Sequence, residues 1–223
     1  MSDLIIYGAG GFAREVAQLA VDLKADGEPL NLIGFLSDDQ EAHGTEVGGL
    51  PVLGDASYLD RHAGRFDVAL GVGAPAVKRR FATRVASNAL GFPALVHPTV
   101  VLSNRVVMGR GVIICAMSIL TVDIEVGDFA TVNLACTIGH DAVLAAYMTL
   151  APGVNISGNV VVGAGCDVGT GAKVIQGRRL GEWCIVGAGA VVNADLPDNC
   201  TAVGVPARPV KWREPGWHLG EGE

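Results

Sequence analysis

The chain has 223 residues, of which 50% are hydrophobic, and a formal net charge of −7 at pH 7. This length suffices for a sizeable core, and an acidic balance without a cluster of Lys and Arg argues against nucleic acid or an anionic membrane surface as partner. The chain starts without a signal-peptide pattern, and no apolar run is long enough to span a bilayer, so we expect a cytoplasmic protein.

The first part of the chain has the pattern of a small α/β unit. Apolar runs predict strands and apolar periodicity predicts helices in this order: a strand at 4–7, a helix at 13–23, strands at 32–36 and 68–71, and a helix at 77–90. Strands that alternate with helices favour a parallel sheet. We therefore expect a Rossmann-like domain over residues 1–92.

A Gly-rich turn, residues 8–11, separates the first predicted strand from the first helix in the pattern G-x-G-G-x-A. Glycines let the backbone approach a phosphate, and the free amides at a helix start favour an anion. A nucleotide or nucleotide-linked ligand is favoured over a dinucleotide, because the unit has about half the usual double-wound length. A turn that only packs helix on strand is the alternative. The candidate ligand-binding residues lie in this turn and at the strand ends: Gly8, Gly10, Gly11, Ser37, Asp38 and Gly71.

A period of six follows. Every sixth residue from Val96 to Val192 is aliphatic. Six is a multiple of the strand period and fits no helix, so each hexad is predicted to be a short strand and a corner with one aliphatic side chain pointing inward. We expect an all-β prism of parallel strands with a C-terminal cap over residues 93–212, followed by a tail at 213–223.

Two further features of the hexads concern glycines and cysteines. Glycine follows the aliphatic residue in many hexads, and we expect it to supply the permissive backbone angles of a corner. Cys136, Cys166 and Cys184 lie two positions before an inward residue, where small side chains fit. The five cysteines form no C-x-x-C pair, so we expect reduced core thiols rather than disulfides or zinc ligands.

His140 stands out within the repeat, because Asp141 follows it and an inward Ile138 precedes it by two positions. This phase places the ring outside the prism near a corner. A neighbouring carboxylate orients an imidazole and raises its basicity, as a general base requires. An ordinary solvated histidine is the alternative. The sequence lacks H-x-x-H or another His/carboxylate ligand set, so we expect no catalytic metal.

Three segments, taken with the hexads, carry a family resemblance: GAGGFARE at 8–15, IGHD at 138–141 and VGVPAR at 203–208. The chain resembles the bacterial hexapeptide-repeat sugar acyltransferases over nearly its whole length. In particular, it is similar to the two-domain group of nucleotide-sugar N-acetyltransferases and sialic-acid O-acetyltransferases. The resemblance implies a left-handed parallel β-helix and a homotrimer.

The resemblance also implies residue roles. His140 would be the general base, Asp141 would tune it, and Asn133 would contact the sugar, while the nucleotide would lie on the Gly-rich crevice. Some members carry a second His, which helps to hold the acetyl donor, where this chain has Thr149. Acetyl-CoA would lie in the groove between neighbouring prisms, at the positions Thr149, Thr170 and Ala188.

These parts predict an acetyl-CoA-dependent N-acetyltransferase that acts on a nucleotide-linked amino sugar. The amine would attack the thioester directly in a ternary complex, because the phase of Cys136 turns that thiol inward. The alternatives are an O-acetyltransferase of sialic acid or another small hydroxyl acceptor, a non-catalytic trimeric ligand-binding protein, and a metal-dependent hydratase of similar prism shape.

Overall fold

The computed structural model describes residues 2–89 and 91–220. Its N-terminal region is an α/β domain with the following elements: β1 (Ser2–Tyr7), α1 (Gly11–Ala25), β2 (Leu30–Leu36), β3 (Glu46–Val47), β4 (Leu50–Gly54), α2 (Ser57–Asp60), β5 (Asp67–Leu70) and α3 (Pro75–Val85). The strand order is β3-β4-β2-β1-β5, with β1, β2, β4 and β5 parallel. Parallel order with helices between the strands confirms the predicted fold class of this region.

Most predicted elements differ from the observed ones by one or two residues at an end, and the larger differences are the bounds of α3 and the unpredicted elements β3, β4 and α2. The second long helix, predicted at 77–90, begins at Pro75 and ends at Val85, and Leu90 lies outside the described residues. Proline suits the first helical turn, because that position has no intrahelical partner for its missing amide hydrogen. Strand β4 was not predicted, because Pro51 and flanking glycines hide a run of only five residues.

The hexads form short strands that wind into a parallel β-helix. These are β6 (Leu95–Val96), β7 (Val101–Leu102), β8 (Val106–Met108), β9 (Ile113–Ile114), β10 (Ile119–Leu120), β11 (Ile124–Val126), β12 (Thr131–Val132), β13 (Thr137–Ile138), β14 (Val143–Leu144), β15 (Thr149–Leu150), β16 (Asn155–Ile156), β17 (Val161–Val162), β18 (Asp167–Val168), β19 (Lys173–Val174), β20 (Arg179–Leu180), β21 (Ile185–Val186) and β22 (Val191–Val192). The antiparallel hairpin β23 (Cys200–Val203) and β24 (Arg208–Trp212) closes the C-terminal end.

Every third strand belongs to the same face of the prism. The first face is β6-β9-β12-β15-β18-β21-β23-β24, the second is β7-β10-β13-β16-β19-β22, and the third is β8-β11-β14-β17-β20. Thr131 pairs with Thr149 and Thr149 with Asp167, so one coil takes 18 residues. A residue's face therefore follows from its position in the sequence.

The predicted inward positions form the core of the β-helix. From Ile114 to Val192, each of these aliphatic side chains is at most 3% exposed. The expectation is wrong at Leu102, which is 37% exposed. Leu102 lies in the first coil, so no preceding coil covers it. The cysteines are buried with free thiols, and Cys136, Cys166 and Cys184 line the interior as predicted.

The predicted role of the corner glycines is wrong. Every sixth residue from Gly111 to Gly189 has a positive φ of 54° to 71°, and this position lies three residues after the inward aliphatic. The glycines directly after the aliphatic have another reason, since a Cβ on Gly139 would lie 2.6 Å from the amide nitrogen of Gly158. The left-handed corners accept Asp141, Tyr147 and other non-glycine residues.

The α/β domain packs on the upper part of the first face. Leu19 of α1 belongs to one apolar cluster with Ile113 and Cys115 of the β-helix. On the other side of the sheet, Phe129 from a corner belongs to one apolar cluster with Phe81 of α3. The second and third faces lie away from this interface. In the described part of the chain, no helix is long and apolar enough to cross a membrane.

Candidate functional site

A crevice of about 430 Å³ lies at the carboxyl edge of the parallel sheet. It brings together all six residues that the sequence predicts for a nucleotide: Gly8, Gly10, Gly11, Ser37, Asp38 and Gly71. Helix α1 starts at this crevice, with Gly10 as an N-cap that provides no side-chain hydrogen bond. The amides of the first turn are therefore not capped by a side chain and lie where an anion would be favoured.

The glycines of this crevice have two different roles. A Cβ on Gly71 would lie 2.6 Å from Ile6 Cγ2 and 2.7 Å from Ala13 Cβ, so packing alone requires this glycine. Gly8 has φ +121°, and a Cβ on it would lie 2.8 Å from the carbonyl oxygen of Gly71. In contrast, a Cβ on Gly10 would meet nothing within 4 Å, and one on Gly11 only a flexible arginine tip at 4.0 Å. Packing therefore leaves Gly10 and Gly11 unexplained.

Two hydrogen bonds orient the carboxylate of Asp38 in the crevice. Its Oδ1 accepts hydrogen bonds from Tyr7 Oη at 2.6 Å and from Arg84 Nη1 at 2.9 Å. Tyr7 stacks on Phe81 with ring centroids 3.9 Å apart. Burial, followed by the bond to Asp38, raises the pKa of Tyr7 above its usual range, so the phenol stays a donor. The carboxylate is thus held for a hydroxyl or N–H of a ligand.

His140 and Asp141 lie at the corner between the second and third faces. His140 Nδ1 lies 2.7 Å from Asp141 Oδ2, and the two side chains are 50% and 54% exposed. The ring lies over Gly158 of the next coil, where a Cβ would come within 2.5 Å of Nε2. Asp141 lies in the left-handed region, with φ +57°. The two side chains are thus exposed and are joined by a hydrogen bond to each other.

The candidate acetyl-CoA and sugar contacts lie elsewhere on the prism. Asn133, Thr170 and Ala188 share the corner between the first and second faces, in three different coils. Thr170 and Ala188 are exposed, and Asn133 is half-buried. The width of the second face separates this corner from His140. One chain therefore does not bring these residues together with the His140–Asp141 pair.

Thr149 lies in neither group. It is only 6% exposed, beneath the first turn of α3. Its Oγ1 donates to the carbonyl of Gly73 at 2.6 Å and accepts from Lys78 Nζ at 2.9 Å. Lys78, 1% exposed, also donates to Thr131 Oγ1 at 2.7 Å and to the carbonyl of Met148 at 3.2 Å. The structure thus places Thr149 at the interface between the two regions.

Cys136, the thiol nearest to His140 in the sequence, is fully buried and lies 3.2 Å from the carbonyl of Ala151. Burial raises the pKa of this thiol to about 11, so it stays protonated at neutral pH and is not a nucleophile. Among the residues that the structure describes, no group of three or more His, Cys, Asp or Glu side chains could hold a metal ion.

A larger cavity of about 590 Å³ lies on the other side of the loop that joins β5 to α3. Residues 71–73 line the crevice, whereas residues 74–77 line this cavity together with Trp183 and Arg213. The loop at 71–77 therefore separates the two cavities. The crevice on one side is lined by the α/β domain, and the cavity on the other side is lined in part by the β-helix and the residues after it.

Sequence reasoning missed Lys78, Tyr7 and Arg84. Lys78 occurs in the run Lys-Arg-Arg-Phe of a predicted helix, where a charged residue is normally solvated. Nothing local marks it as buried, since its acceptors are 53 to 71 residues away. Tyr7 and Arg84 are likewise 31 and 46 residues from Asp38, and only the folded sheet brings them together.

Comparison with known proteins finds similarity over both regions. Residues 3–85 match the family described as the PglD N-terminal domain. GDP-perosamine N-acetyltransferase of Escherichia coli O157:H7 is 29% identical over 221 residues, covering 92% of this chain and 95% of that protein. The structure of PerB from Caulobacter crescentus in complex with CoA and GDP-perosamine is 31% identical, with a TM-score of 0.85, and covers 95% of this chain and 98% of that one. The acetyltransferase domain of PglB from Neisseria gonorrhoeae FA1090, in complex with acetyl coenzyme A, is 32% identical, with a TM-score of 0.84 and coverage of 93% and 98%.

Proposed function

Because the chain belongs to the family of hexapeptide-repeat sugar acetyltransferases, which use acetyl-CoA, we propose that it acetylates the amino group of a nucleotide-linked sugar. One observation carries this proposal. A single chain presents both an anion-suited crevice with two open glycines and an exposed His–Asp pair on the β-helix. The solved relative PerB, similar over both regions, holds CoA and GDP-perosamine.

The nucleotide diphosphate is proposed to bind at the start of α1. Gly10 and Gly11 leave room for close backbone approach, and the uncapped amides of the first turn supply donors. Asp38, held by Tyr7 and Arg84, would accept from a ligand hydroxyl or N–H. The crevice would bind the nucleotide portion, and the amino sugar would extend from it.

His140 is proposed as the general base. Asp141 accepts the hydrogen on Nδ1, which leaves the lone pair on Nε2 free to take a proton. The acceptor nitrogen would attack the thioester carbonyl, lose its proton to Nε2, and form the amide as the C–S bond breaks. The proton then passes from His140 to the departing CoA thiolate. Proton transfer of this kind contributes roughly 10²- to 10⁴-fold, and positioning of both substrates contributes the larger part.

A homotrimer is proposed to complete the site. Acetyl-CoA would lie along the corner that carries Thr170 and Ala188, one face away from His140 of the same chain. On one chain the two corners lie at opposite sides of the second face, and they would come together where prisms of neighbouring copies lie side by side. Exposed Val101 and Ile119 on the second face support contact between copies. A fully active monomer, by light scattering and assay at low concentration, would contradict this assembly.

A reducing compartment is proposed as the place of action. The free thiols are buried, and Cys184 Sγ and Cys200 Sγ lie 3.3 Å apart without a disulfide. Such unpaired thiols fit the reducing conditions of the cytoplasm.

The first experiment is a ligand screen followed by an assay. GDP, UDP and dTDP and their amino sugars are tested for a rise in the Tm, with and without CoA, since a ligand of the native state raises it. Acetyl transfer to the selected amino sugar is then followed by release of CoA thiol. His140→Ala should lower kcat by roughly 10²-fold or more with both substrate affinities retained.

The same assay distinguishes the alternatives. Near-normal turnover by His140→Ala would mean that the acceptor needs no base from the protein. Transfer to a sugar hydroxyl but not to any amine would replace the proposed N-acetylation with O-acetylation. An Asn133→Ala variant serves as a comparison, because loss of a sugar contact should raise the KM of the sugar more than it lowers kcat.

A further inference from the structure

Lys78 is the most deeply buried basic side chain in the described part of the chain, and the proposed reaction does not use it. Its protonated amino group has three N–H donors, and three oxygen atoms surround it: Thr131 Oγ1, Thr149 Oγ1 and the carbonyl of Met148. All three acceptors belong to the first face of the β-helix. Helix α3 is thus bonded through one side chain to two neighbouring coils.

Thr149 extends this link to the crevice. While its Oγ1 accepts from Lys78, the same hydroxyl donates to the carbonyl of Gly73, which lines the crevice. On its other side, the loop is held to the sheet by the amide of Gly71, which donates to the backbone carbonyl of Tyr7 at 2.9 Å. The loop at 71–74 is therefore bonded to both regions at once.

Stability alone gives no reason for an ammonium group at this position. Burial of an ion removes its favourable hydration, and apolar side chains of similar volume in such sites are often neutral or stabilising. Hydrogen bonds are directional, so the three bonds of the protonated lysine fix the rotation of α3 and its position along the β-helix. A methionine would fill the same space but would not fix this rotation or position.

We propose that Lys78 and Thr149 are positioning residues that fix the loop at 71–74 to the β-helix. They would thereby set the position of the bound sugar relative to His140 and Asp141. This proposal rests on the proposed function for its kinetic consequence, but not for the link itself. It also gives Thr149 a different role from the acetyl-donor contact that the family resemblance implies. A misplacement of about 1 Å at a reacting centre costs up to roughly 10²-fold in rate.

The test compares Thr149→Val with Thr131→Val. Both replacements keep the side-chain shape and remove one acceptor of Lys78, but only Thr149→Val also breaks the bond to Gly73. We expect Thr149→Val to lower kcat by roughly 10- to 100-fold. The KM of acetyl-CoA and the Kd of the selected nucleoside diphosphate should stay within about twofold, because both binding surfaces remain intact. Thr131→Val should lower kcat less than Thr149→Val does, because Lys78 keeps two acceptors and the bond from Thr149 to Gly73 remains. Thr149→Ser, which keeps the hydroxyl, should have near-normal kcat.

A second readout does not depend on activity. Hydrogen exchange of the amides at 72–74 in the unliganded protein should be faster in Thr149→Val and unchanged in Thr131→Val. Equal loss of kcat in both valine variants would overturn the proposal, as would a rise in the KM of acetyl-CoA alone in Thr149→Val, which would restore the donor contact. If the wild-type chain acetylates no amino sugar, the proposed function fails, while the exchange result still decides whether the link exists.

Discussion

The two regions of this protein encode their structure in different ways. In the β-helix, one rule repeated every six residues assigns each side chain to the core, a face or a corner, and Ile114 to Val192 follow it. In the α/β domain, no period exists, and the meaning of a residue depends on distant neighbours, as Gly71 shows through its contacts with Ile6 and Ala13. The place of a side chain in the β-helix can therefore be predicted from its position in the sequence. The role of a residue in the α/β domain becomes clear only from the folded structure.

The positional rule can be tested most severely on one strand. Val161 and Val162 are adjacent on β17, and only Val162 is completely buried. Val162→Asp should abolish cooperative folding of the β-helix, because an unpaired charge would be buried in the core. Val161→Asp should change the free energy of unfolding by no more than about 1 kcal/mol. Circular dichroism during thermal unfolding measures both, and similar losses would show that the period does not set the core.

The α/β domain calls for the opposite kind of comparison, between two glycines of one crevice. Gly71→Val should destabilise the domain by about 3 kcal/mol, because its side chain would overlap Ile6 and Ala13. Gly11→Val should fold normally and raise the KM of the nucleotide sugar by roughly 10-fold or more, with acetyl-CoA affinity unchanged, since a hydrogen bond to a charged phosphate is worth about 1.5–3 kcal/mol. Urea unfolding and steady-state kinetics separate the two. Equal losses of both affinities in Gly11→Val would instead indicate a purely structural turn.

The junction between the regions gives a pH-dependent prediction. Burial lowers the pKa of Lys78 from 10.5 to about 7, and Asp167 of the neighbouring strand β18 opposes this shift. Between these two pH values the unfolded chain binds more protons than the folded one. The free energy of unfolding of the wild type should therefore increase with pH relative to that of Lys78→Met. We expect about 2 kcal/mol between pH 7 and pH 9, measured by urea unfolding at fixed protein concentration. A difference that is flat with pH would place the ammonium in contact with solvent.

The smallest expected effect concerns the left-handed corner position that Asp141 occupies beside His140. Asp141→Asn should lower kcat by roughly tenfold or less, because the imidazole remains, and should leave the Tm unchanged, because Asn tolerates a positive φ. Asp141→Val should also lower the Tm, since a β-branched residue is strained at φ +57°. If both variants keep the wild-type Tm, the left-handed corner is not a constraint at this position.

Much of the fold could be predicted from the sequence, because the hexads and the Gly-rich turn are local patterns. His140 could be singled out, since its phase in the repeat places the ring outside. The burial of Lys78 and Thr149 could not be predicted, because Thr149 occupies an outward position that becomes buried only when α3 packs on it. The predicted role of the glycines that follow the inward aliphatic residues is wrong for the same reason, since the crowding at Gly139 comes from Gly158 of the next coil.

The 18-residue coil also determines which changes of length such a chain tolerates over evolution. Inserting one hexad after Leu150 would move every later outward residue to the next face, so that Asp167 would leave the face on which Lys78 packs. Inserting three hexads would return each residue to its face and lengthen the prism by one strand spacing, about 4.8 Å. Descendants of this chain are therefore expected to gain or lose whole coils below the site, while the interval from His140 to Thr149 keeps its length.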